Sequence, residues 1–223
     1  MTRLTQCAAA LLLVTAALLP RAGASEVVDR IVASVNQQVV LESEIQASIA
    51  YQCLMNHTPR TALTAEERRA VLDRLIEQKL LRQQMRDAKF SAASSQEVLH
   101  RVEELKQELN SSQKTAGTQP LWSTELEKYG LTEADVEQEI GLEVELLRFV
   151  DARFRPAIRI DDAKIESYYT EVLLPQLSGS GARPPKLEEV AERIREVLVQ
   201  QRINEELANW LKNLREQSTI KIR

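Results

Sequence analysis

The 223-residue sequence holds two cysteines, two histidines, six glycines and only 4% aromatic residues, and each shortage closes off a class of function. Cys7 falls in an N-terminal apolar run, which leaves Cys53 alone in a processed chain. No intrachain disulfide can then hold the fold, so a hydrophobic core has to, and Cys53 is expected to be a small buried hydrophobe within it. His57 and His100 lie far apart in polar surroundings, and no His-x-x-x-His or Cys-x-x-Cys spacing occurs. A zinc centre is therefore not expected, nor is any other metal or cofactor. Gly141 stands alone, with no phosphate-cradling glycine loop and no serine nucleophile elbow. Few aromatics leave little material for a lectin-like or aromatic-caged ligand site. No stretch beyond the leader approaches the ~20 apolar residues of a membrane span. A net charge of −4 argues against nucleic-acid binding, which normally shows a basic face.

What the chain does have begins with a secretory layout: Arg3, an apolar run from Ala8 to Leu19, then Ala22-Gly23-Ala24 before Ser25. This pattern predicts a cleavable signal peptide over residues 1–24 and a periplasmic product. Cleavage removes Arg3 and Arg21 and no acid, which moves the net charge from −4 to −6.

The remainder reads as mainly α. The run from Lys186 to Gln217 contains neither Pro nor Gly. It predicts a helix roughly 45 Å long at ~1.5 Å per residue, with a stripe of Leu187, Val190, Ile194, Val197 and Leu198 continued by Ile203, Leu207, Trp210, Leu211 and Leu214. The stripe needs cover, and Trp210 is expected in the core. Thr219–Ile222 alternates like a strand. Val27–Asn36 and Val39–Leu41 predict a hairpin turning at Asn36-Gln37. Since a hairpin alone is marginal, residues 219–222 are expected to supply its third strand.

Between these ends, Ser43–Gln46, Thr64–Glu67 and Ser94–Glu97 read as capping boxes opening three helices. The second of these helices carries Val71, Leu72, Leu75, Ile76, Leu80, Leu81 and Met85 on one face. The third fades into a linker at Asn110–Gln119. A short helix, Ser123–Tyr129, should stop at Gly130 with Leu131 folding back. From Thr132 a longer one carries Val136, Ile140, Val144, Leu147, Val150 and Phe154, ending at Arg155-Pro156. Asp161 caps a short helix bearing Tyr168 and Tyr169, and Leu173-Leu174-Pro175 with Ser178–Gly181 forms a Gly/Ser linker over residues 172–185.

No catalytic residue stands out. Glu103-Glu104 and Glu188-Glu189 fall on polar helix faces, and nothing in the sequence signals a cleft for acid–base work. Trp122, beside a linker, and the adjacent Tyr168 and Tyr169 are hard to bury together, so these three are the candidate peptide-binding residues.

The opening Val28-Asp29-Arg30-Ile31-Val32-Ala33-Ser34-Val35-Asn36 with Val39–Ile45 resembles the start of SurA-like periplasmic chaperones. Leu72–Leu81 resembles that family's Leu-Ile-x-x-Lys-Leu-Leu helix, and Leu187–Val190 through Trp210–Arg215 to Ile222 resembles its closing helix and strand. The resemblance implies a helical chaperone module over residues 25–171, completed by 186–223, with a small sheet joining both ends. In relatives a parvulin-type prolyl isomerase domain of about 100 residues precedes the last helix; here Val172–Pro185 is far too short for one. The implied function is a holdase for unfolded outer-membrane or secreted proteins, without isomerase activity. A structural or assembly subunit that binds one dedicated folded partner is the alternative. An isomerase with a noncanonical site is the least favoured reading, and the oligomeric state is left open.

Overall fold

The computed structural model describes residues 29–60, 64–112, 122–178 and 184–223; the expected signal peptide and most of the two expected linkers lie outside these. Strands Ile31–Val35 (β1) and Gln38–Leu41 (β2) form the hairpin, with Asn36 at φ 53° in the left-handed conformation that the turn needs. Helices Glu42–Met55 (α1), Ala65–Asp87 (α2), Ser95–Ser112 (α3), Trp122–Tyr129 (α4) and Glu133–Phe154 (α5) follow. A 3₁₀ turn at Arg155–Ala157 leads through Ile158–Ile160 to helix Asp162–Tyr168 (α6). A π-helical turn, Tyr169–Leu173, then joins it to Leu174–Ser178 (α7). The long helix is Leu187–Glu216 (α8), and Ile220–Ile222 (β3) ends the order. Among the described residues no helix is long and apolar enough to cross a membrane.

Strand β3 pairs antiparallel with β1, giving the order β2-β1-β3, with Ala33 opposite Ile222 and Val35 opposite Ile220. The Asn36 side chain fastens this closure. Its Oδ1 accepts from Thr219 N–H at 2.9 Å, and its Nδ2 donates to Gln83 Oε1 at 2.9 Å and to Ser218 Oγ at 3.3 Å. Arg215, in the last turn of α8, reaches both Asp73 and Glu77 of α2, the latter at 3.1 Å.

Two apolar clusters result. The first joins the hairpin to α1 and α2 through Ala33, Val35, Val40, Ile45 and Ile76, with Leu214 and Ile220 packed against it. The second gathers Leu54, Val102, Leu105, Leu126, Val136 and Ile140 from α1, α3, α4 and α5. Cys53 touches both clusters but is only half-buried, because it lies at their shared edge.

Capping follows the expected chemistry at Thr64, Ser94, Thr132 and Asp161, whose side-chain oxygens each accept from an amide three residues on. The first helix departs from expectation. Strand β2 runs straight into it, so Leu41 takes the cap position, and Glu44 rather than Gln46 reaches back, accepting from Leu41 N–H at 2.9 Å. Ser43 is already helical and hydrogen-bonds Asp29 through its amide and its hydroxyl. Gly130 adopts φ 68°, and Leu131 N–H returns to Leu126 O at 3.1 Å.

Three further expectations are corrected. Leu173-Leu174-Pro175 is helical rather than linker: the π-helical turn Tyr169–Leu173 runs directly into α7, and Leu174 N–H still returns to Tyr169 O just before Pro175. Leu147 is 69% exposed, while Leu142 and Phe149 are buried beside the expected stripe. On α8 only Ile194 and Ile203 are fully buried, because that helix lies along the rim of the body instead of threading its core.

Glu42 opens α1 and accepts from Arg68 at 2.8 Å and Arg30 at 2.8 Å, which holds its carboxyl at about 2. A carboxylate depressed below its ordinary value stabilises the fold above that value and loses the effect as pH falls through the folded one. Glu42→Gln should thus be less stable than wild type at neutral pH, with the gap closing between about pH 4.5 and 2 in denaturant titrations. Asn36→Gly keeps the left-handed turn but removes three side-chain hydrogen bonds. It should cost about 1–2 kcal/mol in urea unfolding.

Candidate functional site

All three phenylalanines and one of the two tryptophans of this aromatic-poor chain meet where α5 faces α8 and the segment after α2. Phe90 stands edge-on to Phe149 at 5.2 Å between ring centroids, Phe149 lies 6.1 Å from Trp210, and Phe154 meets Trp210 edge-on at 5.7 Å. Such pairs add to simple burial because ring edges are positive and ring faces negative. Two guanidiniums use those faces: Arg153 sits 4.0 Å above Trp210, and Arg148 sits 5.8 Å from Phe90. Trp210 is half-buried rather than fully in the core, with Phe149 and Phe154 beside it and the Arg153 guanidinium over its ring.

Two open cavities meet at Phe90. One, of about 610 Å³, is lined by Leu147, Val150, Ile203 and Gln200 among others. The other, of about 460 Å³, is lined by Met85, Leu142, Arg82, Arg86 and Glu137 among others. Together they make a trough along α5 with an apolar floor. Leu147, at 69% exposure, is the most exposed large apolar side chain among the described residues, and it lines a concavity rather than standing on a convex surface.

The residues nominated from the sequence are not brought together in this trough. Trp122 is half-buried on α4 against the second apolar cluster, with Lys106 Nζ 5.4 Å above its ring. Tyr168 and Tyr169 are half-buried at the far end of α6, and Tyr169 donates its hydroxyl proton to Pro185 O at 2.7 Å, tying the π turn to the approach to α8. None of the three lines either cavity. Sequence reading missed Phe90 because it lies in a connector with no periodicity. It missed Phe149 because Leu147 fits the repeat of α5 better.

A polar cleft of about 360 Å³ also separates α1, α2 and α5, lined by Ser48, Tyr51, Arg74, Glu139 and Glu143 among others. No such cleft was expected from the sequence. Buried Tyr51 donates to Glu143 Oε2 at 3.1 Å, and Arg74 Nη2 donates to Ser48 Oγ at 2.6 Å. Loss of water pushes the Glu139 carboxyl up, Arg82 partly opposing it. Glu143 is open on one side, but the cleft walls displace water from the other and raise it as well. The Tyr51 phenol is raised by burial and by the neighbouring Glu143 charge. The Tyr51–Glu143 bond joins α1 to α5 and the Arg74–Ser48 bond joins α2 to α1, which ties the three helices together around the cleft.

Residues 4–148, more than half of the chain, match a family described as SurA-like N-terminal domain. No curated protein matches the chain. The match stops within α5, so α8 and β3, which complete the sheet, lie beyond it.

Trp210→Ala should cost about 2 kcal/mol in urea unfolding. That is below the 3–5 kcal/mol typical of a fully buried tryptophan, because the ring is only partly buried.

Proposed function

We propose, since this chain belongs to the SurA-like N-terminal domain family, that it is a polypeptide-binding chaperone that holds unfolded clients in the trough along α5. The observation that carries this reading is the exposed Leu147 beside an apolar concavity of about 610 Å³. An extended client segment can bury apolar side chains there without any chemistry being performed, and several weak contacts along one client add up to useful retention. Holding such a segment lowers the chance that its strand edges pair with another chain. The compartment is the periplasm, reached through the leader at residues 1–24. The clients are outer-membrane or secreted protein precursors, and no prolyl isomerase step is involved. Trp122, Tyr168 and the accessible face of Tyr169 serve as outer contacts for longer clients.

The test is light scattering from a diluted, denatured outer-membrane protein, with an isomerase assay on a prolyl peptide run beside it. Wild type should delay aggregation at several-fold molar excess and show no turnover above background. Leu147→Ser should leave stability within ~0.5 kcal/mol, as expected of an exposed site, and should weaken the delay. Failure of the wild type to delay aggregation, with tight one-to-one binding to a single folded protein, would instead mark it as a dedicated assembly subunit.

A further inference from the structure

Helix α5 borders two concavities at once. One side floors the trough, and another carries Glu139 and Glu143, one helical turn apart, into the cleft of about 360 Å³ shared with α1 and α2. Glu143 accepts from Tyr51 at 3.1 Å. Glu139 is partly buried, yet it makes no hydrogen bond or ion pair among the described residues.

Every helix packed around this pair brings charge, and most of that charge is engaged elsewhere. From α1 come Tyr51 and Glu44, and Glu44 is ion-paired with Lys79 of α2. From α2, Arg74 donates to Ser48 Oγ at 2.6 Å, and Arg82 reaches Glu139 only through its field. From α3, Arg101 acts on Glu143 while bonded to Glu104 at 3.0 Å. For Glu139 the loss of water outweighs the fields of Arg82 and Arg74, and Glu143 and Glu44 add repulsion. A negative charge is therefore unfavourable where this side chain sits. A neutral carboxyl escapes the penalty and gains an O–H donor, with the Gln78 amide of α2 lining the same cleft.

We infer that Glu139 makes the cleft an acid-tightened joint: charged, it keeps α5 from closing on α1 and α2, and neutral, it lets the three helices draw together. Because α5 is shared, the joint also sets how firmly the floor of the trough is held. The sign is opposite to that of Glu42. A carboxyl raised above its ordinary 4.5 binds its proton first in the folded state, so stability rises as pH falls through the folded value, and the gain is complete below 4.5.

The experiment combines three measurements on the full chain and on Glu139→Gln: carbon-13 NMR of labelled glutamate carboxyls, urea unfolding, and hydrogen exchange, each between about pH 7.5 and 4.5. The carboxyl signal missing from the variant should titrate in wild type with a midpoint above 4.5. Glu139→Gln should have the higher urea midpoint at about pH 7.5, and the gap should close as pH falls to about 4.5. Exchange corrected for its intrinsic rate should slow on acidification across residues 139–146 more than in α8, and this slowing should be absent from the variant. A titration midpoint at or below 4.5 overturns the inference whether or not the variant folds. A stability gap independent of pH, or the same exchange response in both proteins, overturns it as well.

Discussion

The structure depends on one antiparallel pairing, that of Ile220–Ile222 with Ala33–Val35. Without it β1 has a single partner, and a two-stranded hairpin has little stability of its own in water. With it, Val35 and Ala33 are sealed completely, and Ile220 and Leu214 close the side of the first apolar cluster. The pairing also positions α8, because Thr219 is held by Asn36 and Arg215 is held by Asp73 and Glu77. At its other end α8 is tied by Arg195 to Ile160 O at 3.0 Å and by Arg155 to Glu196 through two contacts of 2.9 Å. A helix fastened at both ends need not be buried along its middle. That is why its apolar stripe can remain partly open without the fold coming apart.

Much of this arrangement is legible in the sequence, for local reasons. Asn at a tight turn, Thr or Ser three residues before an acid, and Gly130 before Leu131 are each decided by a few neighbouring atoms, and the structure realises them. The β3 pairing is legible because a lone alternating strand needs a partner and only one hairpin offers an edge. The trough is less legible because it depends on which of two near-equivalent faces of α5 meets α8. Leu147 and Phe149 are two residues apart, and periodicity cannot say which the neighbouring helix will cover. Trp210 was misplaced for the same reason: its position on the α8 stripe is right, but the stripe meets a rim and not an interior. The cleft around Glu139 and Glu143 could not be seen, since two acids one turn apart look like an ordinary solvated face until Tyr51 and Arg74 arrive from other helices.

Aromatic scarcity gains meaning once the rings are located. Phe90, Phe149, Phe154 and Trp210 are concentrated at one seam, and the two main clusters are built largely from Val, Leu and Ile. Aliphatic side chains fill the interior, while polarizable rings and guanidiniums occupy the boundary beside the open trough.

The separation of β1 and β3 along the chain has a temporal consequence. Asn36 and Thr219 are 183 positions apart, and synthesis at roughly 5–20 residues per second puts on the order of ten seconds or more between their appearances. Throughout that interval the hairpin waits with an unpaired edge. Contacts between residues so far apart form slowly because a long loop must close first. Until Ile220–Ile222 emerges, the chain is thus itself a molecule with an exposed strand edge.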